Sequence, residues 1–104
     1  MIQLLKNIFG FGPKVDLIEV IRKGGVILDV RTQGEFRSGH IKGSLNIPVQ
    51  DLDRNLSKLG KDKPIITCCA SGMRSKEAKR ILKSNGFAEV HNGGSWMSLQ
   101  SKVF

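Results

Sequence analysis

The chain has 104 residues, 39% of them hydrophobic and 25% charged, which allows one globular domain with its own core and excludes collagen-like, disordered and repetitive architectures. Its formal net charge of +8 comes from scattered lysines and arginines with few aromatic residues among them, so nucleic acid ranks last among the partners of such a surface. The two cysteines, Cys68 and Cys69, are adjacent, so they form no ordinary disulfide and no cysteine zinc site, which favours free thiols in a reducing compartment.

The first segment, residues 1–12, is predicted to be an N-terminal arm that packs on the domain. It is apolar, but it is too short to span a bilayer and it lacks the apolar region and cleavage site of a signal peptide. The sequence Gly10-Phe11-Gly12-Pro13 ends it, and the domain is predicted to occupy residues 13–104. We therefore expect a cytoplasmic protein, with weak membrane contact by the arm as the less favoured alternative.

Helical and strand patterns alternate along the rest of the chain. Asp16 is a good N-cap for a first short helix, which Gly24 and Gly25 end. Strands are predicted at residues 26–30, 45–47, 65–68 and 88–91, and further helices at 49–59, 75–85 and 95–99. A turn is predicted at residues 92–94. The alternation predicts an α/β fold with a small open parallel sheet flanked by helices on both faces. In such sheets ligands bind beyond the carboxyl ends of the strands.

A strand is predicted to turn into a helix at one stretch, Cys69-Ala70-Ser71-Gly72-Met73-Arg74-Ser75. Backbone N–H groups in such a turn point inward and the helix start adds a positive dipole, and both favour a thiolate over a thiol. Gly72 permits a backbone conformation that a Cβ would forbid, and Arg74 is expected to add a positive charge and a planar donor fork close to the sulfur. The stretch predicts an anion pocket around a reactive Cys69 that needs no separate base.

The helix predicted after this loop is basic. Its cationic residues are Lys76, Lys79, Arg80 and Lys83. Because they surround the loop, they favour an electrostatic funnel for a small anion over the alternative that they are ordinary solvated surface charges.

Two stretches resemble the rhodanese sulfurtransferases, in whose active-site loop a cysteine opens a short Ser-Gly-x-Arg-Ser segment leading into a helix. The loop residues that match are Cys69, Ser71, Gly72, Arg74 and Ser75. The residues that match the family's N-terminal signature are Asp29, Val30, Arg31, Glu35, Phe36, Gly39, His40, Ile41, Gly43, Ser44, Asn46, Ile47 and Pro48. The glycines before Trp96 resemble the family's tail. The resemblance covers the chain from about Asp16 to Leu99 and implies a rhodanese-like fold.

The resemblance implies a single-domain thiosulfate sulfurtransferase in which Cys69 carries a persulfide. The Cys69 thiolate would take the outer sulfur of thiosulfate, release sulfite, and hold the sulfur until an acceptor removes it. The implied substrate-binding residues are Ala70, Ser71, Gly72, Met73, Arg74 and Ser75. No cofactor is expected. The expected partners are a small anionic sulfur donor, a thiol or cyanide acceptor, and a sulfur-accepting protein.

Asp29, Arg31 and His40 are expected to support the loop rather than to react. Asp29 is a carboxylate inside an apolar strand, and Arg31 is a nearby partner for its charge. We expect His40, and likewise His91 at a strand end, to be a structural residue and not a catalytic base. Asp29, Glu35 and His40 are suitable residue types for a metal site, but their spacing is irregular, so no metal is expected.

Two alternatives remain open. In the first, the domain is a sulfur carrier or interaction module with little turnover of its own. In the second, it is a phosphatase or arsenate reductase that uses Cys68. Five residues separate Cys68 from Arg74, as in phosphatase loops, whereas four separate Cys69 from Arg74, as in sulfurtransferases. Thr67 stands where phosphatase loops commonly have histidine. Cys69 is therefore the predicted nucleophile, and Cys68 is expected to end the strand and pack in the core, with poor geometry for a resolving thiol.

Overall fold

The structure is a computed structural model that describes residues 15–104. The predicted arm at residues 1–12 and the domain start at residue 13 lie outside the described residues. The helices are α1 (Leu17–Arg22), α2 (Gln33–Ser38), α3 (Met73–Ser84) and α4 (Trp96–Val103). The strands are β1 (Val26–Asp29), β2 (Leu45–Asn46), β3 (Ile65–Cys69) and β4 (Val90–Ser95). Two 3-10 helices, Val49–Arg54 and Leu56–Lys58, connect β2 to β3.

The four strands form one parallel sheet in the order β2-β1-β3-β4. Successive side chains of a strand point to opposite faces, so β3 contributes Ile65 and Cys69 to one buried cluster and Ile66 and Cys68 to the other. The first cluster is covered by α3 and the 3-10 helices, and the second by α1 and α4. The predicted α/β fold, with helices on both faces of a small parallel sheet, is confirmed.

The helix predicted over residues 49–59 is wrong, because the chain forms two 3-10 helices there. The break is at Asn55, whose φ of −127° is not helical. The Asn55 side chain donates a hydrogen bond of 2.8 Å to the carbonyl of Asp51, so it terminates the first segment. Since Leu52 and Leu59 are both buried on either side of this break, the core contacts predicted from the apolar pattern are made without a continuous helix.

The turn predicted at residues 92–94 is also wrong, because β4 continues through Ser95. A Cβ on Gly93 would lie 2.8 Å from the carbonyl oxygen of Thr67, so only glycine lets β4 approach β3 this closely. The register between the two strands shifts between Thr67 and Cys69. The glycines therefore mark an irregular strand rather than a turn. None of the helices in the described part of the chain is long and apolar enough to cross a membrane.

Candidate active site

The loop after β3 lies at the carboxyl end of a central strand, with Cys69 as the last strand residue and α3 beginning at Met73. Both boundaries differ from the sequence prediction, which ended the strand at Cys68 and began the helix at Ser75. Gly72 caps α3 with a φ of 104°, in the left-handed region that favours glycine. A Cβ there would lie 3.6 Å from the nearest atom, the Cα of Gly94, which is ordinary contact. The backbone conformation, not lack of space, therefore requires the glycine.

The sulfur of Cys69 accepts two backbone hydrogen bonds. The N–H of Gly72 donates to Sγ over 2.8 Å, and the N–H of Ser75 donates over 3.3 Å. Cys69 is fully buried, and the sulfur lies at the N-terminus of the 12-residue helix α3. Amide donors and a helix N-terminus both stabilise negative charge, so this surrounding suits an anionic sulfur or an anionic group attached to it.

Arg74 lies in the first turn of α3 and binds Glu35 of α2 through both ends of its guanidinium. The two nitrogen–oxygen distances are 2.7 and 3.0 Å. The hydrogen bonds from Arg74 lower the pKa of Glu35 to about 2, and the carboxylate in turn raises the pKa of Arg74. The sequence prediction placed the Arg74 donor fork close to sulfur. Among the described residues it donates to Glu35 and makes no hydrogen bond to Cys69.

Glu35 itself was not predicted as a partner of the loop. It is the third residue of α2 and forms a capping box with Thr32, in which the backbone N–H of Thr32 donates to its carboxylate over 3.0 Å. This capping box, in the pattern Thr-x-x-Glu, was the available sequence signal for a fixed carboxylate. It did not show which cation the carboxylate would meet, because Arg74 is 39 residues away along the chain.

Asp29 and Arg31 form a buried ion pair next to the loop. The guanidinium of Arg31 donates to the Asp29 carboxylate over distances of 2.7 to 3.1 Å, and this hydrogen bonding raises the pKa of Arg31. The same guanidinium donates to the carbonyl of Gly39 over 2.7 Å and lies 4.6 Å from the centre of the Trp96 ring. Arg31 therefore holds the segment after β1 against α4. Among the described residues the Arg31 side chain makes no hydrogen bond to the loop of residues 69–75, so the expected support of the loop by this pair stays a prediction.

His40 and His91 lie outside the loop. Nδ1 of His40 is 2.7 Å from the carbonyl oxygen of Phe36, and its ring stacks on the Phe36 ring. Nε2 of His91 is 2.8 Å from the carboxylate of Glu89. Within residues 15–104 neither histidine makes a hydrogen bond to the loop, and no three histidine, cysteine or acidic side chains are grouped to hold a metal. Hence neither histidine is positioned to act on the Cys69 sulfur.

A network of side-chain hydrogen bonds behind the sulfur was missed at the sequence level. The hydroxyl of Ser75, which is fully buried, lies 2.7 Å from the Thr67 hydroxyl and donates to Oδ1 of Asn92 over 2.6 Å. Thr67 also donates to the Ser75 carbonyl over 3.0 Å. The network fixes the position of Ser75, whose N–H reaches Cys69. The alternation of β3 could have placed Thr67 and Cys69 on one face, but the contribution of Asn92 from β4 required the fold.

Cys68 lies on the opposite face of the sheet from Cys69. It is fully buried in the cluster with Ile66 and Leu99. Burial, and to a smaller extent the negative charge of Asp29, raises the pKa of the Cys68 thiol to about 12. Cys68 is therefore a protonated core residue at neutral pH, which argues against its use as a phosphatase-type nucleophile.

Comparisons with known proteins place the chain in a family. The model of the rhodanese-like domain matches residues 14–101, and the chain belongs to that family. The chain is 37% identical over 82 residues to the putative sulfur carrier protein YrkF of Bacillus subtilis strain 168, covering 79% of this chain and 42% of that protein. It is 35% identical over 69 residues to the thiosulfate sulfurtransferase GlpE of Stutzerimonas stutzeri strain A1501, covering 66% of this chain and 63% of that protein.

Solved structures agree with this assignment. A crystal structure of a rhodanese-related protein from Thermoplasma volcanium superposes with a TM-score of 0.72 at 35% identity, covering 86% of this chain and 88% of that one. The family resemblance inferred from the two sequence stretches is therefore confirmed. The chain spans about half the length of the first curated relatives that it matches.

Proposed function

We propose that the domain is a sulfurtransferase that carries sulfane sulfur as a persulfide on Cys69. Membership of the rhodanese-like family, with relatives named as sulfurtransferases and as a sulfur carrier, supports sulfur transfer in general. The observation that carries the specific proposal is the pair of amide hydrogen bonds to the Cys69 sulfur at the start of α3. A thiolate is the attacking species, and a persulfide formed from it needs the same surroundings.

With thiosulfate as donor, the Cys69 thiolate attacks the outer sulfur. A new bond forms between Sγ and that sulfur, the sulfur–sulfur bond of thiosulfate breaks, and its electron pair leaves with sulfite. The thiosulfate dianion and the thiolate become the sulfite dianion and the persulfide anion, so the charge balances. A thiolate or cyanide then attacks the terminal sulfur, and the electron pair of the breaking bond returns to Sγ. This is covalent catalysis in two half-reactions, and no general base is needed.

The loop residues have distinct roles in this scheme. Gly72 and Ser75 supply the amides, while Ala70, Ser71 and Met73 are exposed around the sulfur and form the rim that a donor meets. Arg74 supplies positive charge at the rim while it is paired with Glu35. Glu35 competes with a dianion for the two terminal nitrogens of Arg74. Asp29 and Arg31 keep the segment after β1 in place. His40 adds to this through its contact with the carbonyl of Phe36 in α2.

A sulfur carrier with little turnover is the second candidate, and two observations favour it. Cys69 is fully buried, and the donor fork of Arg74 is occupied by Glu35, so small anions meet a partly closed site. A carrier would form the persulfide but release sulfur slowly to small acceptors. Comparing steady-state turnover on thiosulfate and cyanide with single-turnover sulfur release from the persulfide form separates the two candidates.

Intact-mass analysis after thiosulfate treatment tests the proposal. The wild-type protein should gain one sulfur atom that a reductant removes. Cys69→Ser should gain none, while Cys68→Ala, the matched control in the neighbouring residue, should still gain one. Sulfur loaded on Cys69→Ser, or lost in Cys68→Ala with its fold intact, would contradict the assignment of Cys69.

A further inference from the structure

Helix α3 carries a stripe of positive charge that begins beside the active-site loop. Four cationic residues on its outer side form the basic stripe: Lys76, Lys79, Arg80 and Lys83. Lys76 is three and four residues before Lys79 and Arg80, and Lys83 is four and three residues after them, so each end of the stripe neighbours its middle on the helix surface. The buried residues Ser75, Ala78 and Leu82 define the inner side. Lys76 and Lys83 are seven residue steps apart along the helix, a length of roughly 10 Å.

The basic stripe lines a surface groove of about 620 Å³ together with Ser84 and Asn92. Arg80 is paired with Glu77 at 2.6 Å. Lys76, Lys79 and Lys83 have no carboxylate within 4.0 Å among residues 15–104. Like charges at these spacings destabilise a helix, and although Lys83 in the last turn is favourable for the helix dipole, Lys76 and Lys79 do not serve helix stability. An uncompensated row of cations in a groove is complementary to an acidic ligand.

The groove begins one helical turn from the loop that carries Cys69, although its lining includes no residue of that loop. The N–H of Lys76 donates to the carbonyl of Gly72 over 3.0 Å, so the stripe starts one helical turn from the loop. Asn92, which lines the groove, accepts the hydrogen bond from Ser75, and the N–H of Ser75 reaches the sulfur. A ligand held along the stripe therefore has its near end about one helical turn from the loop that carries Cys69.

The exposed side chain of Met73, at the end of the stripe nearest the loop, indicates what kind of ligand the stripe binds. Met73, three residues before Lys76, is 77% exposed, so its side chain is accessible to a partner at this end of the stripe. Exposed methionine beside a charged rim is typical of protein interfaces. Among residues 15–104, those that line the groove include no aromatic side chain on which a nucleobase could stack. A protein surface thus fits better than a nucleic acid.

We propose that the basic stripe and Met73 form the docking surface for a protein whose contact face is acidic and which presents the thiol that takes sulfur from Cys69. This inference rests on the proposed function. In the transfer, the partner's thiolate attacks the terminal sulfur of the Cys69 persulfide, a new sulfur–sulfur bond forms on the partner, and the electron pair of the broken bond returns to Cys69 Sγ. The transfer involves no net oxidation or reduction, so no oxidant or reductant is consumed.

Two synthetic peptides test the surface. Each has one cysteine, which is flanked on both sides by four glutamates in the glutamate peptide and by four glutamines in the glutamine peptide. The full-length chain is loaded with sulfur by thiosulfate, and the rates of transfer to the two peptides are compared at low salt. The test variant is K76Q/K79Q/K83Q. The matched control K42Q/K58Q/K63Q removes the same number of charges from exposed lysines away from the groove. The readout is the ratio of the rate with the glutamate peptide to the rate with the glutamine peptide.

We expect the wild type to prefer the glutamate peptide by on the order of tenfold, because a steering field raises association rates by at least that factor. The ratio should approach one in K76Q/K79Q/K83Q and at high salt, and should stay at the wild-type value in the control. A wild-type ratio near one, or an equal loss in both variants, would overturn the docking surface. So would fluorescence anisotropy showing that an oligonucleotide of equal charge binds the wild type as tightly as the glutamate peptide.

Transfer from the loaded wild type to mercaptoethanol distinguishes failure of the docking surface from failure of the proposed function. If this small neutral thiol receives sulfur and the peptide ratio is near one, the proposed function stands and the docking surface fails. If no persulfide forms on Cys69, the proposed function fails and the docking surface fails with it.

Discussion

Glu35 and Arg74 form a two-contact ion pair that joins α2 to the first turn of α3, with distances of 2.7 and 3.0 Å. The pair places a carboxylate at the edge of a site that otherwise offers positive charge and amide donors. It stabilises the position of Arg74, and it also competes with any anion for the donor fork.

Replacing Glu35 by glutamine is expected to lower the KM for thiosulfate, because it removes a negative charge and frees Arg74. The two side chains are 38% and 35% exposed, so the interaction is screened by water. A change of about 1 kcal/mol, or roughly fivefold in KM, is the expected size. Steady-state kinetics measure it, with Arg74→Gln as the comparison that should raise KM. An unchanged KM in Glu35→Gln would show that Arg74 does not bind the donor.

The same pair predicts a pH dependence of stability. The folded-state pKa of Glu35 is lowered from 4.5 to about 2, mainly by its hydrogen bonds from Arg74. The stabilising contribution is therefore complete above about pH 4.5 and is lost as the pH falls towards 2. Urea unfolding of the wild type and Glu35→Gln should show a difference in unfolding free energy at pH 7 that shrinks through this range. A difference that is constant between pH 7 and pH 2 would contradict the prediction.

Gly72→Ala should slow persulfide formation and destabilise the fold by about 1 kcal/mol, because alanine is strained at a φ of 104°. The amide of residue 72 donates to Cys69, so a shifted backbone weakens that hydrogen bond. Gly34→Ala is the control: it lies in α2, its φ is not positive, and a Cβ there would meet nothing within 4 Å. It should leave the rate unchanged and raise stability slightly. Equal effects of the two substitutions would disprove the argument.

Ser75→Ala removes the hydroxyl that links β3 to β4. Thr67 and Asn92 would each lose a hydrogen-bond partner, at a cost of about 1–3 kcal/mol. Thr67→Val disrupts the same network from the other side. Because both act on one set of hydrogen bonds, the double variant should lose clearly less than the sum of the single losses. Denaturant unfolding of the four proteins measures this coupling, and additive losses would show that the residues act independently.

Cys68 should resist alkylation in the folded protein, because its pKa is raised to about 12. Mass spectrometry of native Cys69→Ser treated with iodoacetamide at pH 8 should show no adduct, and the same protein unfolded in urea should show one. A raised pKa also means that the stabilising contribution of the buried thiol is complete below its ordinary value of 9.0 and is lost as the pH rises towards 12. Rapid labelling of native Cys69→Ser would contradict the burial of Cys68.

The sequence by itself determined the fold class, the family and the identity of the candidate nucleophile. Alternating apolar segments, such as Val26–Asp29 and Ile65–Cys69, can bury both faces of a strand only in a sheet covered by helices on both sides. Cys69, Gly72 and Arg74 lie close together in the sequence, and their spacing was enough to predict a loop whose amides surround the cysteine sulfur. Gly93 misled the prediction because its effect depends on Thr67, which is distant in the chain. Asn55 misled it through a local hydrogen bond to Asp51 that the apolar pattern does not reveal.

Only the tertiary structure decided which groups meet around the loop. Arg74 finds Glu35 across 39 residues, and Asn92 reaches Ser75 from the neighbouring strand. Such pairings are set by packing between elements, and periodicity along the chain carries no information about them. The nucleophile and the amides of the candidate site therefore come from one short stretch of sequence. The charges and side-chain hydrogen bonds that hold them in place come from residues distant in the chain.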